Sequence, residues 1–254
     1  MKKKGVIFDL DGTLTIDDKL LDGVFEIIDF LKQNNISFSI VTNTTSKSVK
    51  TMCDNLKNQG LDISIKQMFS PVVAVKEYLA SQGIRKIKIS NSKDIISEFS
   101  DFIIDDLEPE IIILSESGNG FSYDEINEIF NFGLNDIPII TLQRNKFYLK
   151  NNKMVVDMGF YVAGLEYVLS SKIKNFGKPS KELFDCVLKN MNMSYDDEIF
   201  IIGDDIENDI LKPQELGFKG VLLKQGKYIK GIEEKFDNKP QYVFDKLTDI
   251  LKII

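Results

Sequence analysis

Asp9 and Asp11 stand two residues apart, directly behind the apolar run "GVIF" and ahead of Gly12 and Thr13. In an extended strand, side chains at i and i+2 share a face, so the two carboxylates would crowd each other if the strand simply continued. Such a pair is tolerated where a cation or a shared proton offsets the repulsion. One alternative needs no chemistry: Asp-Gly between apolar runs is a strong hairpin signal, with Asp11-Gly12 as the turn. A second acidic group, Asp204, Asp205 and Asp209 in "GDDIEND", follows the apolar run "EIFII". It reads either as further carboxylates at the same crevice or as a helix cap on Asp204 or Asp205. Taken with Asp9 and Asp11, at least three carboxylates converge. That chemistry suits Mg²⁺, which binds through one or two carboxylates plus waters and phosphate oxygens.

Two more segments complete the set. Thr42 and Asn43 open "TNTTSK" (42–47) behind another apolar run. Its hydroxyl, amide and N–H groups ahead of a helix form either an anion cradle or an ordinary Ser/Thr turn. Lys178 in "GKPS" is a surface lysine by default; beside a carboxylate cluster its charge would hold phosphate and damp repulsion among the acids.

Composition narrows the chemistry further. The 254 residues contain no histidine, which removes Ser-His-Asp and Cys-His catalysis and the usual zinc sites. Carboxylates, lysines, hydroxyls and a hard metal are left. A net charge of −7 argues against a general nucleic-acid surface. No apolar run approaches a membrane span, and "MKKK" with so short an apolar stretch is not expected to act as a secretory signal. Cys53 and Cys186 give no disulfide framework; buried thiols in a cytoplasmic protein are expected.

The elements that must position these groups alternate between apolar runs and helix-period segments, which predicts α/β with a parallel sheet. Strands are expected at "GVIFDL", "ISFSIVTN" (36–43), "EIFIIGDD" and "KGVLLKQG". Helices are expected at "LLDGVFEIIDFLKQNN", at "SKSVKTMCDNLKNQG" with Ser46 as N-cap, and at "GKPSKELFDCVLKNMN" and "ENDILKPQELG". The end, "YVFDKLTDILKII", reads as a short strand and a final helix. The middle behaves as a unit of its own, with helices at "PVVAVKEYLASQG", "SYDEINEIFNFGLND" and "MGFYVAGLEYVLSSK". Between them come strands at "KIKIS", "EIIILSES" and "IPIITLQ", and a hairpin around Asn151-Asn152. Residues 74–173 are therefore read as an inserted α/β cap on a core formed by 1–73 and 174–254.

The motifs "DLDGT", "TN", "GKP" and "GDDIEND", in that order, resemble the haloacid dehalogenase superfamily of magnesium-dependent phosphohydrolases. The resemblance covers a core of about 150 residues, and the long insert looks like a type C2 cap. It implies a Rossmann-like parallel-sheet core. Within the superfamily the chain is similar to subfamily IIA, which includes 4-nitrophenylphosphatase-like, phosphoglycolate and pyridoxal phosphate phosphatases. "VTNTTSKS", "GLEY" and "LLKQGKY" look closest to the branch of haloacid dehalogenase-like hydrolase domain-containing protein 2.

The resemblance implies roles. Asp9 is the nucleophile that forms an aspartyl phosphate, and Asp11 is the general acid and base, its carbonyl on the metal. Thr42, the Asn43 N–H and Lys178 bind phosphate. Asp204 joins Asp9 on Mg²⁺, Asp209 holds a metal-bound water or Lys178, and Asp205 has a more variable role. A small phosphorylated metabolite is the implied substrate, and a homodimer through the cap the implied assembly. In the cap, Arg144 or Lys146 of "QRNKFY" either meets a second anionic group of the substrate or belongs to a solvated basic loop. The rival readings are a phosphotransferase or phosphomutase with the same nucleophile, a phospho-accepting receiver-type domain, and a silent binding protein. Receivers are about half this length and place their acidic pair before the acceptor strand rather than last.

Overall fold

The computed structural model describes residues 2–90, 93–115, 120–150 and 153–254. The chain divides into two compact units, one of residues 1–42, 49–69 and 184–254, the other of 43–48 and 70–183.

The first unit is built on a six-stranded sheet in the order Tyr242–Phe244, Lys219–Leu223, Glu198–Gly203, Lys4–Asp9, Ser37–Val41, Met68–Phe69. Every neighbouring pair is parallel. Strands covered on both faces read as unbroken apolar runs, and "VIF", "FIIG" and "VLL" do so. The chain moves from Lys4–Asp9 to one side of the sheet and returns to Glu198–Gly203 on the other, which makes the carboxyl end of Lys4–Asp9 a topological switch point. Val6 and Phe8 on one face pack with Val24, Ile27, Ile28 and Leu31 of the helix Val24–Gln33 and with Met52, Cys53 and Leu56 of the helix Val49–Asn58. The opposite face of the sheet carries a smaller cluster of Ile206, Ile210, Leu211 and Leu222.

Several expectations are corrected here. Asp11-Gly12 is not a hairpin turn. Lys4–Asp9 ends between two parallel neighbours, and the hairpin comes later, Thr15–Ile16 against Lys19–Leu20. Its turn residues Asp17 and Asp18 adopt φ of 48° and 62°, the left-handed backbone such turns require. Leu20 is therefore in a strand, and the helix starts only after Gly23 (φ 86°), at Val24. Ser46 does not cap the next helix, which begins at Val49, so that Ser48 stands in the position before its first residue. The last element, Leu247–Lys252, is a 3₁₀ helix, whose three-residue turn brings Leu247 and Ile250 onto one buried face.

The second unit has its own five-stranded parallel sheet, ordered Lys174–Asn175, Ile139–Thr141, Ile111–Leu114, Lys86–Ser90, Ile103–Ile104. The helices Pro71–Ser81, Tyr123–Leu134 and Met158–Leu169 belong to it. Ser122 and Glu125 form a reciprocal capping box on the second of these. Phe147–Lys150 pairs antiparallel with Lys153–Val156, while the expected turn at Asn151-Asn152 lies outside the described residues. The two-residue strands Ile103–Ile104 and Lys174–Asn175 were not anticipated, being too short to show a period. Among the described residues no helix is long and apolar enough to cross a membrane.

Candidate active site

Asp9 is the last residue of the strand Lys4–Asp9 and pairs in register with Val41, one residue before Thr42. It is buried. Asp11 lies beyond the strand, where the backbone folds into a tight loop: Thr13 and Leu14 N–H both donate to the Leu10 carbonyl, at 3.3 and 2.9 Å. That loop separates the two acids. Asp11 is exposed, and its carboxylate accepts a hydrogen bond from the Thr42 hydroxyl at 3.3 Å.

On the neighbouring strand, Gly203 is followed by Asp204 and Asp205, and the structure assigns them different work. Asp205 is the helix cap, its Oδ1 accepting from the Glu207 and Asn208 N–H groups at 3.2 and 3.1 Å. The segment it caps, Ile206–Leu211, is π-helical, a wide turn that often accompanies functional sites. Asp204 instead turns toward Asp9. Asp209 comes back to the same point from that wide turn, its Oδ2 accepting from the Asp205 N–H at 3.2 Å. Asp9, Asp204 and Asp209 are all buried, and each offers a carboxylate oxygen lying within 4.8 Å of those of the other two. The side chain of Asp11 is not part of this trio.

The backbone around the trio is shaped for it. A Cβ at Gly12 (φ 96°) or at Gly226 (φ 57°) would stand 2.0 Å from Oδ2 of Asp204. Only glycine admits both the close approach and the left-handed backbone. Burial, and then the charges of Asp9 and Asp209, push the Asp204 carboxyl well above its ordinary range. Three buried carboxylates of like charge form a fitting donor set for a hard divalent cation, which takes oxygen ligands.

Lys227 was missed by sequence reasoning. Its backbone N–H donates to Asp204 Oδ2 at 2.6 Å, and its ammonium lies 3.5 Å from Asp205 Oδ2. Burial alone would lower its pKa, but Asp205, Asp204, Asp209 and Asp9 together raise it. A lysine in a loop has no periodic signature, and its one available signal was the glycine before it.

The remaining predicted residues belong to the second unit. Asn43 and Lys178 are buried and held to each other. The Lys178 N–H donates to Asn43 Oδ1 at 2.7 Å, and Asn43 Nδ2 donates to the Lys178 carbonyl at 3.1 Å. Gly177 makes this possible, since a Cβ there would meet Asn43 Oδ1 at 2.7 Å and the Leu142 carbonyl at 2.4 Å. Asn43 Nδ2 also donates to Asn145 Oδ1 at 3.0 Å. Asn145 is tied onward, its N–H donating to Gln143 Oε1 at 2.6 Å, and Gln143 Nε2 to Asp157 Oδ1 at 2.7 Å. Asp157 caps the helix Met158–Leu169. Arg144 forks onto Glu166 of that helix, Nη1 to Oε1 at 2.9 Å. Lys146 is exposed.

Comparison with known proteins gives a consistent picture. A family model described as haloacid dehalogenase-like hydrolase matches residues 6–104, and one described as HAD-hydrolase-like matches 175–250. Phospholysine phosphohistidine inorganic pyrophosphate phosphatase of Danio rerio is 31% identical over 231 residues, 89% of this chain and 84% of that protein. Haloacid dehalogenase-like hydrolase domain-containing protein 2 of Mus musculus is 29% identical over 240 residues, 94% of this chain and 91% of that one. The 4-nitrophenylphosphatase of Thermotoga maritima superposes with a TM-score of 0.89 at 22% identity, covering 99% of this chain and 97% of its own.

Proposed function

This chain belongs to the haloacid dehalogenase-like hydrolases as one of their phosphatases, and we propose that it hydrolyses small phosphomonoesters with Mg²⁺ through an aspartyl phosphate on Asp9. The observation that carries the reading is the buried trio of Asp9, Asp204 and Asp209 at the switch point of the core sheet.

Phosphoryl transfer asks for positioning and positive charge more than for covalent ingenuity. A Mg²⁺ held by Asp9, Asp204 and Asp209, with the Asp11 carbonyl, would supply the charge that lets Asp9 stay ionised. A carboxylate oxygen of Asp9 attacks phosphorus in line, and the bond from phosphorus to the ester oxygen breaks. Asp11 gives its proton to that leaving oxygen. Water then attacks the aspartyl phosphate, Asp11 takes a proton from it, and inorganic phosphate leaves with Asp9 restored. The Thr42 hydroxyl, 3.3 Å from the Asp11 carboxylate, turns to phosphate as one donor when substrate is bound; the Asn43 N–H and Lys178 are the others. The exposure of Asp11 against the burial of Asp9 supports this division, because a proton shuttle must reach water and a nucleophile must be shielded from it.

The test is release of inorganic phosphate from a panel of 4-nitrophenyl phosphate, sugar phosphates, phosphoamino acids with P–O and P–N bonds, and pyrophosphate, with Mg²⁺ and with chelator. Turnover that needs Mg²⁺ is expected. Asp9→Asn should lower it by at least about 10³-fold while far-ultraviolet circular dichroism stays native. Wild-type rates in that variant refute the nucleophile.

A further inference from the structure

The loop after the strand Lys219–Leu223 reaches the acid cluster with three consecutive residues. Gln225 Nε2 donates to the Thr13 carbonyl at 3.0 Å, in the loop that follows Asp9. Gly226 approaches so closely that a Cβ on it would stand 2.7 Å from Gly12 Cα. Lys227 holds Asp204 through its N–H and sets its ammonium on Asp205. Asp205 already serves as a helix cap, and no step of the proposed reaction uses Lys227. The ammonium is thus a fixed positive charge beside carboxylates of like sign.

We propose that Lys227 is a built-in counter-charge of the acid cluster: it stabilises the gathered carboxylates of the metal-free protein and opposes a divalent cation bound among them. The inference rests on the metal reading above. It predicts effects of opposite sign, because one positive charge lowers the cost of assembling the acids and repels the incoming cation. A lysine whose stem merely packs would lower the stability of both forms alike and leave metal affinity unchanged. Lys227 is therefore a positioning residue rather than a catalytic one.

The experiment compares wild type, Lys227→Met and Lys227→Arg by calorimetric titration with MgCl₂ and by thermal unfolding in chelator and in saturating Mg²⁺, all at low ionic strength. Lys227→Met should lose a few degrees of Tm in chelator, bind Mg²⁺ on the order of fivefold more tightly, and regain wild-type Tm when Mg²⁺ saturates. Lys227→Arg, with its charge kept, should stay within about twofold of wild-type affinity. Unchanged or weaker Mg²⁺ binding by Lys227→Met overturns the proposal, as does an equal loss of Tm in both conditions. Should Lys227→Met be unfolded in chelator, recovery of native circular dichroism on adding Mg²⁺ supports the counter-charge, and failure to recover overturns it. A wild type that binds no Mg²⁺ overturns the metal reading itself, an outcome separate from failure at residue 227 alone.

Discussion

Lys88 of the cap lies buried on the strand Lys86–Ser90 and meets charges of opposite sign, Asp106 at 3.2 Å and Glu128 at 3.1 Å. Asp204 of the core is buried as deeply and meets two charges of its own sign, Asp9 and Asp209, which outweigh the opposing charge of Lys227. Burial alone would push the Lys88 ammonium down, yet Glu128 and Asp106 outweigh it and leave Lys88 above its ordinary value. Arg144 on Glu166 and Gln143 on Asp157 repeat the pattern in the cap, each buried polar group meeting its complement. The core instead gathers buried groups of like charge where its strands end. A buried cluster of like charge is unfavourable for folding, so its presence marks a place shaped for a ligand rather than for stability.

Three substitutions break or sharpen this contrast. The largest effect is expected from Gly226→Ala, whose Cβ would stand 2.0 Å from Asp204 Oδ2 on a left-handed backbone. Displacing that carboxylate should weaken Mg²⁺ binding by about 10- to 100-fold, read by calorimetry, with a parallel loss of phosphate release. In the cap, Asn145→Leu removes the oxygen that accepts from Asn43 Nδ2. Because Asn43 holds the Lys178 backbone, KM should rise about fivefold with kcat little changed, and Asn145→Asp, which keeps the acceptor, should recover most of it. An unchanged KM in the leucine variant would separate the cap network from phosphate binding.

The smallest effect concerns Glu166. Burial acts to raise its carboxyl, but the Arg144 hydrogen bond, the Ile173 N–H and the Arg144 and Lys172 charges outweigh it and hold it below the ordinary value. The unfolded chain therefore binds the proton more readily. Stability from Glu166 is present above the unfolded carboxyl pKa of about 4.3 and is lost as pH falls through the folded value. Water reaches Arg144, so Glu166→Gln should cost only about 1 kcal/mol at pH 7. The gap to wild type should close below about pH 4, measured by urea unfolding, with turnover at saturating substrate unaffected.

The acids were legible because each stands at the end of an apolar run, where a parallel sheet collects its ligands. Ser122 was legible for a similar reason, since a serine three residues before a glutamate announces a helix start. The residues by themselves did not disclose which of two adjacent acids does what, although the family resemblance put Asp204 on the metal. Asp204 and Asp205 have the same chemistry, and only the π-helical turn, invisible in a periodic pattern, makes one a cap and brings Asp209 back beside the other. Arg144 was weighed as a substrate contact or a solvated charge. Its partner Glu166 sits 22 residues away, and no local rule joins them. The turn at Asp17-Asp18 was overlooked because Asp11-Gly12, the stronger signal, lies six residues earlier.

The strand that carries Asp9 and its partner along one edge, Glu198–Gly203, are separated by nearly two hundred residues of chain. A chain ending near residue 190 carries Asp9, the proposed nucleophile, but lacks Asp204, Asp209 and the glycine loop that encloses them. Closing so long a span comes late in assembly. If the proposed reading holds, binding of Mg²⁺ is a certificate of completion, and a form missing the final quarter should release no phosphate however well its cap has formed.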